Sequence, residues 1–249
     1  MLAFILCGLY VIFIYWRRQS RLYAEQKTFI SQITHELKSP LASIRLHLET
    51  IRLRNPPPDK MERFLDTMLV DTERLNTLIS NFLMAAKLEQ RSTNVGLTSI
   101  NFSAFVEKFI EEFQRHLSEG NSLSVHIEPG IFAKIDVEGM EMVLRNLLEN
   151  AFLYSTASPE VQVELYRSGK NCTLTVTDNG KGLEAKELKN IFRMFYRVRT
   201  TGETIRGTGL GLYIVKSIVE RHKGSIKVKS DGTGRGSSFI ITLPMPEVK

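Results

Sequence analysis

Residues 29–51 read FISQITHELKSPLASIRLHLETI, and the spacing of their apolar side chains decides the first half of the fold. Ile30, Ile33, Leu37, Leu41, Ile44, Leu48 and Ile51 follow one another at steps of three and four, which puts them on one stripe of a long α-helix. Pro40 lies inside that helix, where a proline costs about 3 kcal/mol and bends the backbone. A helix that keeps it gains something by the bend. The run Asn55-Pro56-Pro57-Pro58-Asp59 must end the helix, because proline donates no amide hydrogen and the residue before it avoids helical angles. A second stripe follows: Met61, Phe64 or Leu65, Met68, Leu75, Leu78 or Ile79, Phe82. Two helices and a short turn make an antiparallel hairpin. One hairpin cannot bury both stripes fully; two can, as a four-helix bundle. The pattern therefore predicts a homodimer.

Toward the N-terminus, the sixteen residues Met1 to Trp16 carry no charge and then meet Arg17, Arg18 and Arg21. A signal peptide needs a basic start and a small-residue cleavage site, and both are missing. Tyr15 and Trp16 suit a membrane interface and the arginines its cytoplasmic side. The expectation is a membrane helix over 1–16, short or truncated against the roughly 20 residues a span requires. A juxtamembrane linker follows over 17–28, then the hairpin over 29–90, with everything after Arg17 on the cytoplasmic side of a cell membrane. The formal net charge of +6 over 249 residues is modest. No nucleic-acid-binding motif accompanies it, so nucleic acid is not an expected partner. Cys7 and Cys172 cannot build a disulfide framework and read as reduced packing residues.

Toward the C-terminus, a polar linker over 91–99 leads into a mixed region over 100–247. Phe102 to Leu117 reads as an amphipathic helix, Leu123 to Ile127 and Phe132 to Ile135 as strands. Asp136 is placed to cap a helix from Val137 to about Tyr154. Val161-x-Val163-x-Leu165 and Leu174-x-Val176 alternate as strands around a turn at Ser168-Gly169-Lys170-Asn171. Leu212 to Arg221 is helical, and Ile226 to Val228 with Phe239 to Leu243 form a last hairpin through a glycine-rich turn. The expected fold class is thus α plus α/β: a dimerising helical hairpin, then an α/β sandwich with a mixed sheet and helices on one face.

Four short motifs could carry chemistry. His35 falls off the first stripe and should face solvent. Glu36 adjoins it and Lys38 adds a cation. His35-Glu36 begins an H-E-x-x-H zinc motif, but Ser39 stands where the second His is needed, so that reading fails. Asn146 and Asn150 lie four apart on one helix face. Asp178-Asn179-Gly180-Lys181-Gly182 is good turn chemistry. Gly207-Thr208-Gly209-Leu210-Gly211 opens the helix at Leu212, and a glycine loop at a helix N-terminus is a ready phosphate site. Its spacing is neither the dinucleotide fingerprint nor a Walker loop.

Taken together and in this order, the four motifs resemble those of bacterial sensor histidine kinases of two-component systems, over about Lys27 to Pro246. The last three also resemble the Bergerat ATP-binding fold shared with DNA gyrase and a heat-shock chaperone. The resemblance implies that His35 is autophosphorylated from ATP and that the phosphoryl group then passes to an aspartate on a separate response regulator receiver domain. A free His has a pKa of about 6.5 and is mostly neutral and nucleophilic in the cytoplasm; Glu36 would take or orient its second proton. Asn150 would ligate Mg²⁺ on the ATP phosphates, with Asn146 beside it. Tyr154 would line the pocket, Asp178 would accept from the adenine amino group, and Gly180 and Gly182 would let the backbone pass close to the base. The segment Ile191-Phe192-Arg193-Met194-Phe195-Tyr196-Arg197 resembles the family's F-box, with Phe192 and Phe195 packing a lid and Arg197 meeting phosphate. Gly207, Thr208, Gly209, Leu210, Gly211 and Leu212 would complete the nucleotide site. Two departures stand out. The family carries a cation where this chain has Leu153, which removes a phosphate contact. Ser39 holds the place of the Thr or Asn found in strong phosphatases, which implies weak phosphatase activity. The alternatives are a catalytically weak, dimeric ATP-binding scaffold, which Leu153 favours, and a Bergerat-fold ATPase, which leaves the His35 hairpin unexplained.

Overall fold

Helix α1 (Leu2–Arg54) and helix α2 (Pro58–Glu89) form the hairpin in a computed structural model that describes residues 2–89, 96–117, 120–155, 158–198 and 209–246. The side chains at 2–6, 11, 18, 21–29, 32, 35 and 89 lie outside that description. The proline run acts as the sequence predicts. Asn55 takes a left-handed φ of 36° and its N–H bonds the Ile51 carbonyl at 3.2 Å, a common way to stop a helix. Pro58 then supplies the first residue of α2, where its missing N–H is not needed. Pro40 is buried on the inner face of α1, and α2 turns Met68, Leu78 and Phe82 inward. The apolar run read as a membrane helix over 1–16 is the first part of α1, with no break before the hairpin. Among the described residues, no helix is long and apolar enough to cross a membrane: the uncharged run ends at Arg17-Arg18, short of the required length.

The chain divides into two compact units, 1–82 and 83–249. The second is built on a five-stranded sheet in the order β2-β4-β5-β7-β6, where β2 is Ser122–Ile127, β4 Glu160–Ser168, β5 Asn171–Asp178, β6 Ser225–Lys229 and β7 Ser237–Pro244. β2 and β4 are parallel and the other pairs antiparallel, so the sheet is mixed, as expected. Val161, Val163 and Leu165 of β4 lie in register with Asp178, Val176 and Leu174 of β5, and Leu174 and Val176 with Ile241 and Phe239 of β7. These side chains are buried, while alternate residues such as Gln162, Thr175 and Ile240 are not fully covered. One face is therefore the core face. Helices α3 (Phe102–Gln114), α4 (Val137–Leu153) and α5 (Gly211–Arg221) supply its apolar cover through residues such as Phe102, Ile110, Leu144, Leu147, Ile214 and Val215.

Two details depart from the sequence reading. Part of the expected linker is a strand: β1 (Thr98–Asn101) pairs antiparallel with β3 (Phe132–Ile135) as a separate two-stranded ribbon. Asp136 does precede α4 but makes no side-chain cap. Its own N–H is instead held by His222 Nε2 at 2.8 Å, while His222 Nδ1 meets the Ile218 carbonyl at 2.7 Å. Because Nε2 accepts here, Nδ1 carries the hydrogen and donates. A buried histidine at the C-terminal cap of α5 thereby ties down the start of α4.

Candidate functional site

In the hairpin unit, Ser39 and Lys38 are exposed and Glu36 is half-buried. Glu36 lies 3.9 Å from Arg74 of α2, a long ion pair. The placement of the His35 side chain is outside the described residues. Its position one residue before Glu36 and five before the buried Pro40 follows from the helix itself.

In the second unit, the chemistry gathers where elements end. Helix α4 carries Asn146 and Asn150, both half-buried, and finishes at Tyr154. Asn146 Nδ2 donates to the Met142 carbonyl at 2.9 Å, and its Oδ1 lies 2.4 Å from where a Cβ on Gly211 would stand. A side chain at the head of α5 would have to push this carboxamide aside, so the asparagine motif and the glycine loop share one rim. Asp178 closes β5. It is 8% exposed, and its Oδ1 accepts the N–H groups of Gly180 at 2.8 Å and Ser237 at 3.2 Å. Burial raises its carboxyl above the ordinary carboxylate range, and the two backbone donors oppose that shift. A buried carboxylate whose charged form is disfavoured is a candidate functional group.

The loop after Asp178 is pressed against the end of α4. Lys181 N–H donates to the Tyr154 carbonyl at 3.0 Å, and a Cβ on Gly180 would stand 2.5 Å from the same oxygen. Burial pushes the Tyr154 phenol up, and the charges of Arg197 and Lys181 pull it back. Both cations thus act on the side chain that ends the asparagine helix. Leu153 is 43% exposed and offers no charge there.

Phe195 and Gly209 form the other junction. Phe195 N–H donates to the Gly209 carbonyl at 2.9 Å. Gly209 has a φ of +69°, and a Cβ on it would lie 2.7 Å from the Phe195 backbone. Any larger residue meets both a conformational and a steric penalty. Leu210 is fully buried and Leu212 half-buried at the start of α5. Gly207 and Thr208 lie outside the described residues.

Sequence reading missed one wall. The turn between β6 and β7, read only as glycine-rich, folds back onto the Asp178 loop. Gly234 N–H donates to Lys181 O at 2.6 Å and Gly236 N–H to Gly180 O at 3.0 Å. The Ser230 hydroxyl accepts from Leu183 N–H at 2.9 Å and reaches the Gly236 carbonyl at 2.6 Å. The contacts are mostly backbone, so no side-chain pattern announced them. Cys172 is buried with its thiol pushed up to about 11 by burial, which makes it unreactive. Cys7 is exposed, unlike the packing residue expected. Among the described residues, no cluster of His, Cys, Asp and Glu could hold a metal unaided. The carboxamide of Asn150, half-buried on α4, is an oxygen donor of the kind Mg²⁺ accepts beside phosphates and water.

The comparisons agree with this division. The model of the His Kinase A (phospho-acceptor) domain matches residues 25–91, and that of the histidine kinase-, DNA gyrase B- and HSP90-like ATPase matches residues 135–247. Sensor protein SrrB of Staphylococcus aureus is 31% identical over 227 residues, which are 89% of this chain and 38% of the relative. The chain thus spans less than half the length of the curated relatives it matches. Among solved structures, Acinetobacter baumannii histidine kinase AdeS has a TM-score of 0.69 at 25% identity, over 86% of this chain and 98% of that one. Histidine kinase ThkA, in complex with response regulator protein TrrA, has a TM-score of 0.72 at 18% identity, over 92% of this chain and 64% of that one, a likeness of fold.

Proposed function

The chain belongs to the sensor histidine kinases, and from that premise we propose that it is an ATP-dependent protein-histidine kinase acting as a homodimer. The observation that carries the reading is the common rim made by Asn146, Asn150, Tyr154, Asp178, Gly209 and Gly211 in a chain that also bears the His35 hairpin. Asp178, fixed by two backbone donors, accepts from the adenine amino group; guanine presents an acceptor at that position and is rejected. The head of α5 faces the phosphates. Asn150 would hold Mg²⁺, which neutralises phosphate charge when bound.

In the transfer step, a ring nitrogen of neutral His35 attacks the γ-phosphorus, the bond to the β–γ bridging oxygen breaks, and ADP leaves. The proton on the other ring nitrogen passes toward Glu36. Arg197 steadies the developing charge, and catalysis rests on positioning and neutralisation. The phosphohistidine then passes its phosphoryl group to an aspartate of a separate response regulator, a partner class with which ThkA is solved. Ser39, exposed one turn beyond His35, supports only weak phosphatase activity. The kinase part works in the cytoplasm, where ATP is. The exposed apolar residues Leu9, Ile12, Phe13 and Trp16, followed by Arg17 and Arg18, are the membrane-facing end.

Labelling with γ-labelled ATP and Mg²⁺ tests the whole reading. Base-stable, acid-labile label, absent from His35→Ala and from Asn150→Ala, is expected. ATP bound by a folded protein without any label would move the reading to the silent scaffold, with Leu153 as the cause.

A further inference from the structure

Glu187 is a carboxylic acid inside the second unit, 8% exposed, and the nucleotide site described above does not use it. Its Oε2 accepts the phenol hydroxyl of Tyr196, nine residues along the chain. The backbone between them is wound in short turns. Asn190 and Ile191 donate to the Glu187 carbonyl at 2.7 and 3.0 Å, Arg193 to Asn190 at 2.8 Å, and Tyr196 to Arg193 at 3.1 Å. Glu187 therefore holds the segment at its start through the main chain and at its end through the side chain. The pairing raises the Tyr196 phenol above its ordinary value, chiefly because the hydroxyl donates to Glu187.

A second clamp sits on the other side of Tyr196. Phe195 takes a φ of +61°, uncommon for an aromatic residue and kept only where the surroundings impose it. Its N–H is spent on Gly209, and a Cβ on Gly209 would also come within 2.9 Å of the Tyr196 carbonyl. Tyr196 is thus fixed through its backbone by the glycine loop and through its hydroxyl by Glu187. The next residue is Arg197, half-buried and close enough to act on the Tyr154 phenol. A phenylalanine would fill the volume of Tyr196 equally well. The hydroxyl adds only direction.

We propose that the Tyr196–Glu187 hydrogen bond is a positioning device for phosphoryl transfer, fixing the point from which Arg197 reaches the terminal phosphates of the nucleotide. It rests on the reading of Arg197 as a phosphate contact. Tyr196 touches no substrate; it acts through its neighbour. Misplacing such a group by about 1 Å can cost about a hundredfold in rate, so a partial loosening is expected to cost about tenfold.

The test uses the full chain with Tyr196→Phe, Glu187→Gln, Arg197→Ala and the Tyr196→Phe/Arg197→Ala pair. ADP affinity is measured by calorimetry, and His35 phosphorylation in single turnover at saturating Mg-ATP. Tyr196→Phe should keep ADP affinity within about twofold and lose about tenfold in transfer rate. Glu187→Gln, whose amide oxygen still accepts the phenol hydrogen, should retain most of the rate. The double variant should be no slower than Arg197→Ala alone, because the effects share one route. A normal transfer rate in Tyr196→Phe beside a slow Arg197→Ala would overturn the proposal and leave the reading of Arg197 intact. So would additive losses in the double variant, or a parallel fall of ADP affinity and melting temperature in Tyr196→Phe, the mark of a merely structural bond. A normal rate in Arg197→Ala would remove the phosphate role of Arg197 and this proposal with it.

Discussion

In the hairpin, Leu41 and Leu48 lie on the predicted apolar stripe and yet are 60% and 54% exposed. In the second unit, Leu144, Leu147 and Ile214 are sealed from solvent. Both regions were written with the same kind of residue, and they differ in who supplies the cover. The sheet and three helices of the second unit close their own core. The hairpin closes half of one, through Met68, Leu78 and Phe82, and leaves Ile30, Leu41, Leu48, Leu65 and Ile79 open. Burying one such side chain is worth about 1.5–3 kcal/mol, so the open stripe is the place where a second copy has most to gain. If a second copy covers that stripe, the hairpin is the dependent unit, its stability tied to protein concentration, beside an autonomous second unit that closes its own core.

The sharpest way to break that contrast is to charge the open stripe. Leu41→Glu with Leu48→Glu should weaken the dimer by about a hundredfold or more, on the burial of two leucines. Sedimentation equilibrium should then show a monomer, with the melting of the second unit unmoved. A dimer that persists would place the second copy elsewhere. Next in size is Leu147→Ala, which opens a cavity in a closed core and should cost about 2–5 kcal/mol. Denaturant unfolding should show that loss in the second unit alone, with dimerisation intact. Third is His222→Leu. It removes the acceptor of the part-buried Asp136 N–H, at about 1–3 kcal/mol, while the Ile218 carbonyl keeps the backbone N–H of residue 222 as a donor. Normal stability in that variant would mean that the tie between α5 and α4 carries no weight.

The smallest effect has the opposite sign. The Asp178 carboxyl is raised by burial. The stability it contributes is fully present below the ordinary carboxylate range, where folded and unfolded forms are both protonated, and is lost as pH rises through its raised value. Asp178→Asn should therefore melt slightly higher than the parent at neutral pH, show a flatter stability profile through the acid range, and bind no ATP. A lower melting temperature for the asparagine variant at neutral pH would show that the ionised carboxylate, with its two backbone donors, is the more stable form.

Sequence periodicity made the autonomous and the dependent units legible to different depths. The stripe from Ile30 to Ile51, the proline run and the alternation of Val161, Val163 and Leu165 are local signals, and each produced the element expected. What stayed hidden was decided by distant partners. Thr98–Asn101 has no apolar alternation and becomes a strand because Phe132–Ile135 lies across from it. Nothing in Ser122–Ile127 says that it pairs parallel with Glu160–Leu165. Asp136 has the chemistry of a cap, but His222, far along the chain, engages its backbone instead. In the candidate site, motif residues such as Asn146, Asp178 and Gly211 were readable because a distinctive side chain, or the lack of one, marks each of them in the sequence. The wall at Ser230 to Gly236 and the Glu187–Tyr196 pair were not, since backbone contacts and one long-range hydroxyl leave no spacing to recognise.

The strand order β2-β4-β5-β7-β6 puts the last strand of the sheet, Ser237–Pro244, between two others, not at an edge. During synthesis the ribosome releases the hairpin before the sheet, and its contacts are near in sequence and quick to form. The sheet cannot be completed until residues near 244 have left the exit tunnel. Until then β5 shows an unpaired edge and an apolar face, the kind of surface that chaperones hold and that aggregates when left bare. A nascent chain halted within the turn before β7 would thus carry the complete helical hairpin, able to pair with full-length copies, joined to a nucleotide site that can never close.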